Sequence, residues 1–273
     1  MRLSVRHVTA YKFDQPVAYS LQRLRLTPKE TQGQSIINWE LSYCGATEEL
    51  CYEDHNHNAV TLLRIAAGAE EVVITSEGVV NTRDDAGVLG QHAGHLPLWS
   101  FRRQTQLTSP GSELTKLADK MRPQRDDPIA MLHHLSALVR ERVVYTKDAT
   151  TTRTTAEEAY VGGQGVCQDH AHIFLGAVRA LDLPARYVSG YLMLDDRIEQ
   201  EATHAWAEVF VDGLGWTGFD ISNGISPDAR YVRIATGLDY REAAPILGIS
   251  YGATAQVTHV AVSVAQQQEA QQQ

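Results

Sequence analysis

The stretch Gly165-Val166-Cys167-Gln168-Asp169-His170-Ala171-His172 decides how this 273-residue chain is read. Gly162, Gly163 and Gly165 approach the cysteine, and Ile173, Phe174, Ala177, Val178 and Leu181 follow it at helical spacing. The pattern sets Cys167 at or near the first turn of a helix. Free backbone N–H groups and the positive end of the helix dipole favour a thiolate there. Leu183-Pro184 closes that helix, and Ala185 to Leu194 reads as a strand. Thr203 to Phe210 alternates as a second strand, and Gly215 to Asp220 as the strand after a tight turn. Cys, then His, then Asp is the set a thiol nucleophile requires: attacker, base and orienter.

Strand register tests whether the last two can meet. His204, Trp206, Glu208 and Phe210 share one face by alternation. An odd-length loop centred on Gly213 sets Trp206 opposite Asp220 and His204 opposite Ser222. His204 and Asp220 are then same-face diagonal neighbours, about 7–8 Å apart between backbones. A two-residue turn would put them on opposite faces. The odd loop is therefore expected, with Gly213 or Gly215 in the bulge position. Metal binding is the competing use of the central motif. On a regular helix Cys167, His170 and His172 fall at 0°, about 300° and about 140°. Cys167 and His172 point to nearly opposite sides, so no metal site is expected; His170 and His172 read as packing or hydrogen-bonding residues.

Taken together, the GVCQDHAH, HAWAEVFV and GWTGFD segments resemble the core of the bacterial transglutaminase-like superfamily, papain-type thiol enzymes with Cys on a helix and His and Asp on adjacent strands. Residues from Met1 to His7 and from Arg23 to Pro28 also resemble the β-domain that precedes this core in many bacterial members. The resemblance implies an α+β chain: an N-terminal β-sandwich-like domain, then a papain-like, transglutaminase-type domain whose helix-borne Cys packs on an antiparallel sheet. It implies Cys167 as nucleophile, His204 as general base and acid, and Asp220 as orienter. Tyr145 is a candidate oxyanion donor, because related enzymes carry an aromatic hydrogen-bonder upstream of the Cys; a half-buried strand tyrosine is the other reading. Gln164 and the Cys167 backbone N–H are further oxyanion candidates. Trp206 reads as a wall of the site or as core, and Asn223 as a support of the site or as a turn residue. The implied reaction is thiol-dependent acyl transfer on a peptide or protein amide through a thioester, with hydrolysis first. Transfer of Gln side chains to amines is the alternative within the enzyme class, and a non-catalytic peptide-binding module the alternative outside it. No cofactor is expected, and no calcium loop of EF-hand type is present.

Composition bounds these readings. A net charge of −9 with 21% charged residues lacks the basic stripe of a nucleic-acid binder. No stretch approaches the roughly 20 apolar residues of a membrane span. Met1 leads into an alternating strand and not an apolar signal segment, so the cytoplasm is the expected location. Cys44, Cys51 and Cys167 are too few and odd in number for a disulfide framework. Cys44 and Cys51 read as ordinary thiols, or as a pair across a hairpin.

Along the chain, residues 1–80 read as short strands of a β-domain. Within it Asp54-His55-Asn56-His57-Asn58 reads as a turn, the alternative being a two-histidine metal site. Residues 81–111 read as a linker in which His92 and His95 are solvated and Trp99 and Phe101 dock on a neighbouring domain. Residues 112–265 form the catalytic domain. Ser112 caps its first helix, Pro128 opens the second, and Thr155 with Glu158 forms a capping box before the glycines. The acidic run Asp195 to Glu201 reads as a solvated loop, with substrate contact the other reading. Residues 230–236 and 254–264 read as strands, and 266–273 as a disordered Gln-rich tail.

Overall fold

In the computed structural model, which describes residues 1–14, 19–251 and 256–267, the first strand shows how the two parts of the molecule meet. β1 (Arg2–Phe13) buries Leu3, Val5, His7, Thr9, Tyr11 and Phe13 on one face, as a period of two dictates. Its far end, Tyr11 and Phe13, packs with Leu24, Leu63, Ile65, Val72 and Ile74 between two sheets. Its near end, Leu3 and Val5, joins the larger core of the helices and a third sheet.

The β-domain continues through β2 (Tyr19–Leu24), β3 (Gln34–Cys44), β4 (Ala46–Glu53), β5 (Ala59–Ile65) and β6 (Glu71–Thr82). After β7 (Val88–Gly90) come α1 (Ser112–Met121), α2 (Pro128–Arg142), β8 (Val144–Tyr145), α3 (Ala156–Gly162), β9 (Gln164–Gly165) and α4 (Cys167–Ala180). β10 (Ala185–Leu192), β11 (Glu199–Gln200), β12 (His204–Val211), β13 (Gly215–Phe219), β14 (Tyr231–Gly237), α5 (Tyr240–Ala243), β15 (Ile246–Tyr251) and β16 (Gln256–Gln266) complete the order. One sheet runs β11-β16-β1-β6-β3, a second β15-β2-β5-β4, and a third β14-β10-β12-β13-β7. β8 and β9 form a short parallel pair. The α+β architecture is thus a β-sandwich beside a helix-on-sheet core.

α4 is the axis of that core. Ala171, Ile173, Phe174, Leu175, Ala177 and Val178 are buried around its circumference, enclosed by α1, α2, α3 and the sheet strands β10 and β12. Large apolar side chains such as Phe174 each contribute about 1.5–3 kcal/mol on burial. Arg179 is also buried, and donates to the carbonyls of Phe101, Ala185 and Leu238 and to the Thr108 hydroxyl. The cation thereby closes the end of the helix opposite Cys167.

Several boundaries differ from the sequence reading. The strands after α5 do not belong to the catalytic region that was expected to reach 265. β15 pairs with β2, and β16 lies between β1 and β11, so both complete the β-domain. Gln266, expected to open the tail, pairs with Leu3, and the Gln267 N–H donates to the Arg2 carbonyl at 2.9 Å; residues 268–273 of the expected tail lie outside the described residues, as do 254 and 255. The linker is ordered in part: β7 joins the edge of the third sheet beside β13, and Leu98–Arg102 forms a short 3-10 helix. There Phe101 is buried against Trp216 while Trp99 stays exposed. His92 is not solvated: it accepts the Trp216 indole N–H at 3.2 Å and bonds the Leu96 carbonyl, because the linker folds onto the sheet. Ser112 is the first residue of α1 and not its cap. The N–H groups of Gly111, Glu113 and Leu114 are taken by the Glu157 carboxylate from α3.

The Asp54–Asn58 segment is a turn. Asp54 Oδ1 accepts the N–H groups of Asn56 and Asn58. The turn docks the β-domain on β14: Asn58 Nδ2 donates to the Thr236 carbonyl and its Oδ1 accepts the Thr236 N–H. Lys29 Nζ reaches into the same seam, donating to the Asn56 carbonyl, Asn58 Oδ1 and Thr236 Oγ1. Burial pushes the Lys29 amine down to about 7, with Arg186 and Arg233 adding to the effect.

Candidate active site

Cys167 is the first residue of α4, behind an extended Val166. Asp169, two positions on, turns back and accepts the Val166 N–H at 2.8 Å and the Thr150 hydroxyl at 2.6 Å. The glycine approach has a steric reason. A Cβ on Gly165 would lie 2.7 Å from the Asp169 Cβ, so a side chain there would push the capping carboxylate off the helix start. Burial raises the Asp169 carboxyl above its ordinary range.

The hairpin brings the other two residues together. β12 and β13 pair Val211 with Gly215 and Ala207 with Phe219, leaving a three-residue loop centred on Gly213. Gly213 and Gly215 both hold positive φ, 85° and 88°. His204 opens β12, Asp220 follows β13, and His204 Nε2 bonds Asp220 Oδ2 at 2.6 Å. The imidazole also hydrogen-bonds Cys167. Burial alone would lower the His204 pKa, but the bonds to Asp220 and Cys167 outweigh it and hold the imidazole up at about 10.

Asp220 is fully buried. Burial favours its neutral form, yet His204, Tyr231 and Asn223 hold the carboxyl below its ordinary range. Asn223 donates its side-chain amide to Oδ2 at 2.7 Å and its backbone N–H to Oδ1 at 3.1 Å. Tyr231 donates its hydroxyl to Oδ2 at 2.6 Å. Tyr231 lies on β14, opposite Leu192 of β10, and the sequence reading passed over it. Nothing in local spacing points from Asp220 to a tyrosine brought in by another strand.

The remaining candidates fall at different distances from the cysteine. The Tyr145 phenol is in hydrogen-bonding contact with Cys167; burial and the thiol push its pKa up to about 12. The Tyr145 residue is nonetheless 52% exposed. Gln164 lies on β9 beside β8, opposite Val144, with its side chain exposed. Trp206 is buried, stacks on His204 with ring centroids 6.2 Å apart, and meets Tyr231 edge-on at 5.4 Å. His170 bonds Ser222 Oγ at 2.8 Å and the Val143 carbonyl at 2.9 Å, tying α4 to the loop after Asp220. His172 accepts the Tyr240 N–H at 3.1 Å and packs on Tyr187.

The acidic run is held at several points: Glu199 and Gln200 pair with Ser263 and Val262 of β16, and Asp195 accepts from Arg230 at 3.0 Å. Glu201 also meets Lys147 at 2.8 Å.

Comparison with known proteins identifies relatives of this fold and sequence. A solved structure from Cytophaga hutchinsonii, provisionally named a cysteine protease, superposes with a TM-score of 0.79, covering 97% of this chain and 90% of that one at 21% identity. It shares the fold. An uncharacterized protein of Mycobacterium leprae is 26% identical over 275 residues, spanning 96% of this chain and 98% of its own. One of Mycobacterium tuberculosis is 29% identical over 277 residues, spanning 92% and 88%. Residues 3–81 match the bacterial transglutaminase-like N-terminal region, and residues 115–221 match the transglutaminase-like superfamily. Those two stretches contain the first six strands and the path from α1 to Asp220, and the chain is a transglutaminase-like protein with a bacterial transglutaminase-like N-terminal region.

Proposed function

We propose that this cysteine-based enzyme transfers acyl groups from peptide or protein amides, with Cys167 as nucleophile, His204 as base and acid, and Asp220 as orienter. The observation that carries the reading is the continuous hydrogen-bonded path from Cys167 at a helix start through His204 to a buried Asp220. Cys167 gives its proton to His204, and the sulfur attacks the amide carbon. The Cys167 backbone N–H, and the Tyr145 hydroxyl that hydrogen-bonds the thiol, would stabilise the developing oxyanion. His204 then protonates the leaving amine, the C–N bond breaks, and a thioester remains on the enzyme. Water attacks the thioester and returns Cys167 and a carboxylate; an amine in its place would give transamidation. Hydrolysis is favoured because the site is open: Cys167 is partly exposed, and so is Tyr145 beside it.

Two assays test this. Cys167 alkylation is read by peptide mass spectrometry at pH 6, with Cys44 and Cys51, both free and exposed, as internal controls. Cys167 is expected to react at least tenfold faster than either, and His204→Ala to remove that advantage. Equal rates for all three thiols in the wild type would sink the nucleophile assignment. Incubation with a peptide library, with and without a labelled amine, then reads the acceptor: cleavage without incorporation is hydrolysis, and label on Gln side chains is transfer.

A further inference from the structure

We infer that Tyr231 is a positioning residue of this site, setting how firmly Asp220 holds the His204 imidazole. The inference rests on the reading of His204 and Asp220 given above, and on geometry that reading does not use. A carboxylate oxygen offers about two lone-pair sites. Asp220 Oδ2 meets three donors, His204 Nε2 at 2.6 Å, Tyr231 OH at 2.6 Å and Asn223 Nδ2 at 2.7 Å. Among the described residues, Oδ1 receives only the Asn223 backbone N–H, at 3.1 Å. The donors therefore share one oxygen, and each draws electron density the others would otherwise receive.

Tyr231 is well placed to stay in that role. It is 6% exposed and edge-on to Trp206, which itself stacks on His204. Its backbone enters β14 from a turn in which Arg230 grips Asp228 through two nitrogens. Its hydroxyl has to be the donor, because an ionised carboxylate only accepts, and burial beside Asp220 pushes its proton loss far up. The hydroxyl thus moderates the pull of Asp220 on His204. An imidazolium held less tightly gives its proton more readily to the leaving amine.

The other ionisable groups facing the cluster are Cys167 and His170 from α4, Tyr145 from β8, and Asp228 from the turn. Tyr231→Phe leaves all of them in place. It also keeps the ring against Trp206 and removes only the hydroxyl.

The sign follows from the sharing. With one donor gone, Oδ2 bonds His204 more strongly and the imidazolium persists to higher pH. The test is NMR of ring-labelled His204 in the full chain, for wild type, Tyr231→Phe and Tyr191→Phe. The last loses a buried hydroxyl that bonds His7 at 3.0 Å and does not touch Asp220. In Tyr231→Phe the His204 titration midpoint is expected to rise by about half a unit or more, and the Nε2 proton to move downfield. In Tyr191→Phe neither is expected to move. Should Tyr231→Phe not fold, Asn223→Ala removes a different donor from the same oxygen and is expected to shift both signals in the same direction. Unchanged His204 signals in a folded Tyr231→Phe, or equal shifts in Tyr191→Phe, would overturn the inference. A wild-type Cys167 without His204-dependent alkylation would instead overturn the functional reading beneath it.

Discussion

Asp220 determines what His204 can do. Burial would ordinarily hold this histidine, whose side chain is 13% exposed, in its neutral form, and the bonds from Asp220 and Cys167 raise it to about 10. Asp220→Asn keeps the volume and an acceptor oxygen but removes the charge. The amide can also stabilise the wrong imidazole tautomer. Amide turnover is expected to fall about 10³–10⁴-fold while the far-UV spectrum stays native; turnover within tenfold of wild type would remove Asp220 from the reaction. At this scale the sequence was legible where chemistry clusters locally. Cys167 sits in a glycine-led helix start, and His204 and Asp220 flank one hairpin whose register can be counted. Tyr231 was not legible, because β14 reaches Asp220 only through β10 and β12. His92 was misread for a similar reason: its partner, the Trp216 indole, is 124 residues away.

Elements are positioned by small backbone constraints, and two of these can be measured. The three-residue β12–β13 loop keeps His204 and Asp220 on one face, and the two glycines of this hairpin, Gly213 in the loop and Gly215 opening β13, are not equivalent. A Cβ on Gly213 would meet nothing within 4 Å, whereas one on Gly215 would lie 2.0 Å from the Gly90 carbonyl oxygen in the neighbouring β7. Gly213→Ala carries only the cost of a left-handed residue, about 1–2 kcal/mol. Gly215→Ala adds a backbone clash and should cost about 2–5 kcal/mol in all. Urea unfolding of the two variants checks this, and equal losses would contradict it. The start of α1 offers the second case. Glu157 accepts three backbone N–H groups there, so Glu157→Gln is expected to destabilise the fold by about 1–2 kcal/mol in the same assay. A serine before a helical run is a fair signal for a cap. It failed at Ser112 because a carboxylate from α3 supplies a charged acceptor that no local pattern encodes.

Across the whole molecule, the β-domain is built from both ends of the chain, with β15 and β16 returning after the third sheet to pair with β2 and β1. Alternation in the sequence identified strands but not their partners, so the expected boundary at 265 followed chain order and not pairing. The two parts also meet where the Asn58 turn docks on β14, with Lys29 half-buried in the seam, and two oppositely shifted groups shape the pH dependence of stability. His204 has a folded pKa of about 10 against an ordinary 6.5. Its contribution is fully present below 6.5 and is lost as pH rises toward 10. Lys29 has a folded value of about 7 against an ordinary 10.5. The unfolded chain holds that proton over the interval where the folded protein has released it, so this contribution to stability grows as pH rises from 7 to 10.5. The two slopes oppose each other between about pH 7 and 10, and the wild-type melting temperature should change little there. Removing either group exposes the other. Lys29→Met is expected to melt at progressively lower temperature as pH rises through that window, because His204 then acts alone. His204→Ala is expected to melt at progressively higher temperature, because Lys29 does. Thermal melts of the three proteins at three pH values decide the matter. Variants that stay as flat as the wild type would mean that neither group carries its assigned shift, and slopes of the same sign in both variants would mean that a third group governs the window.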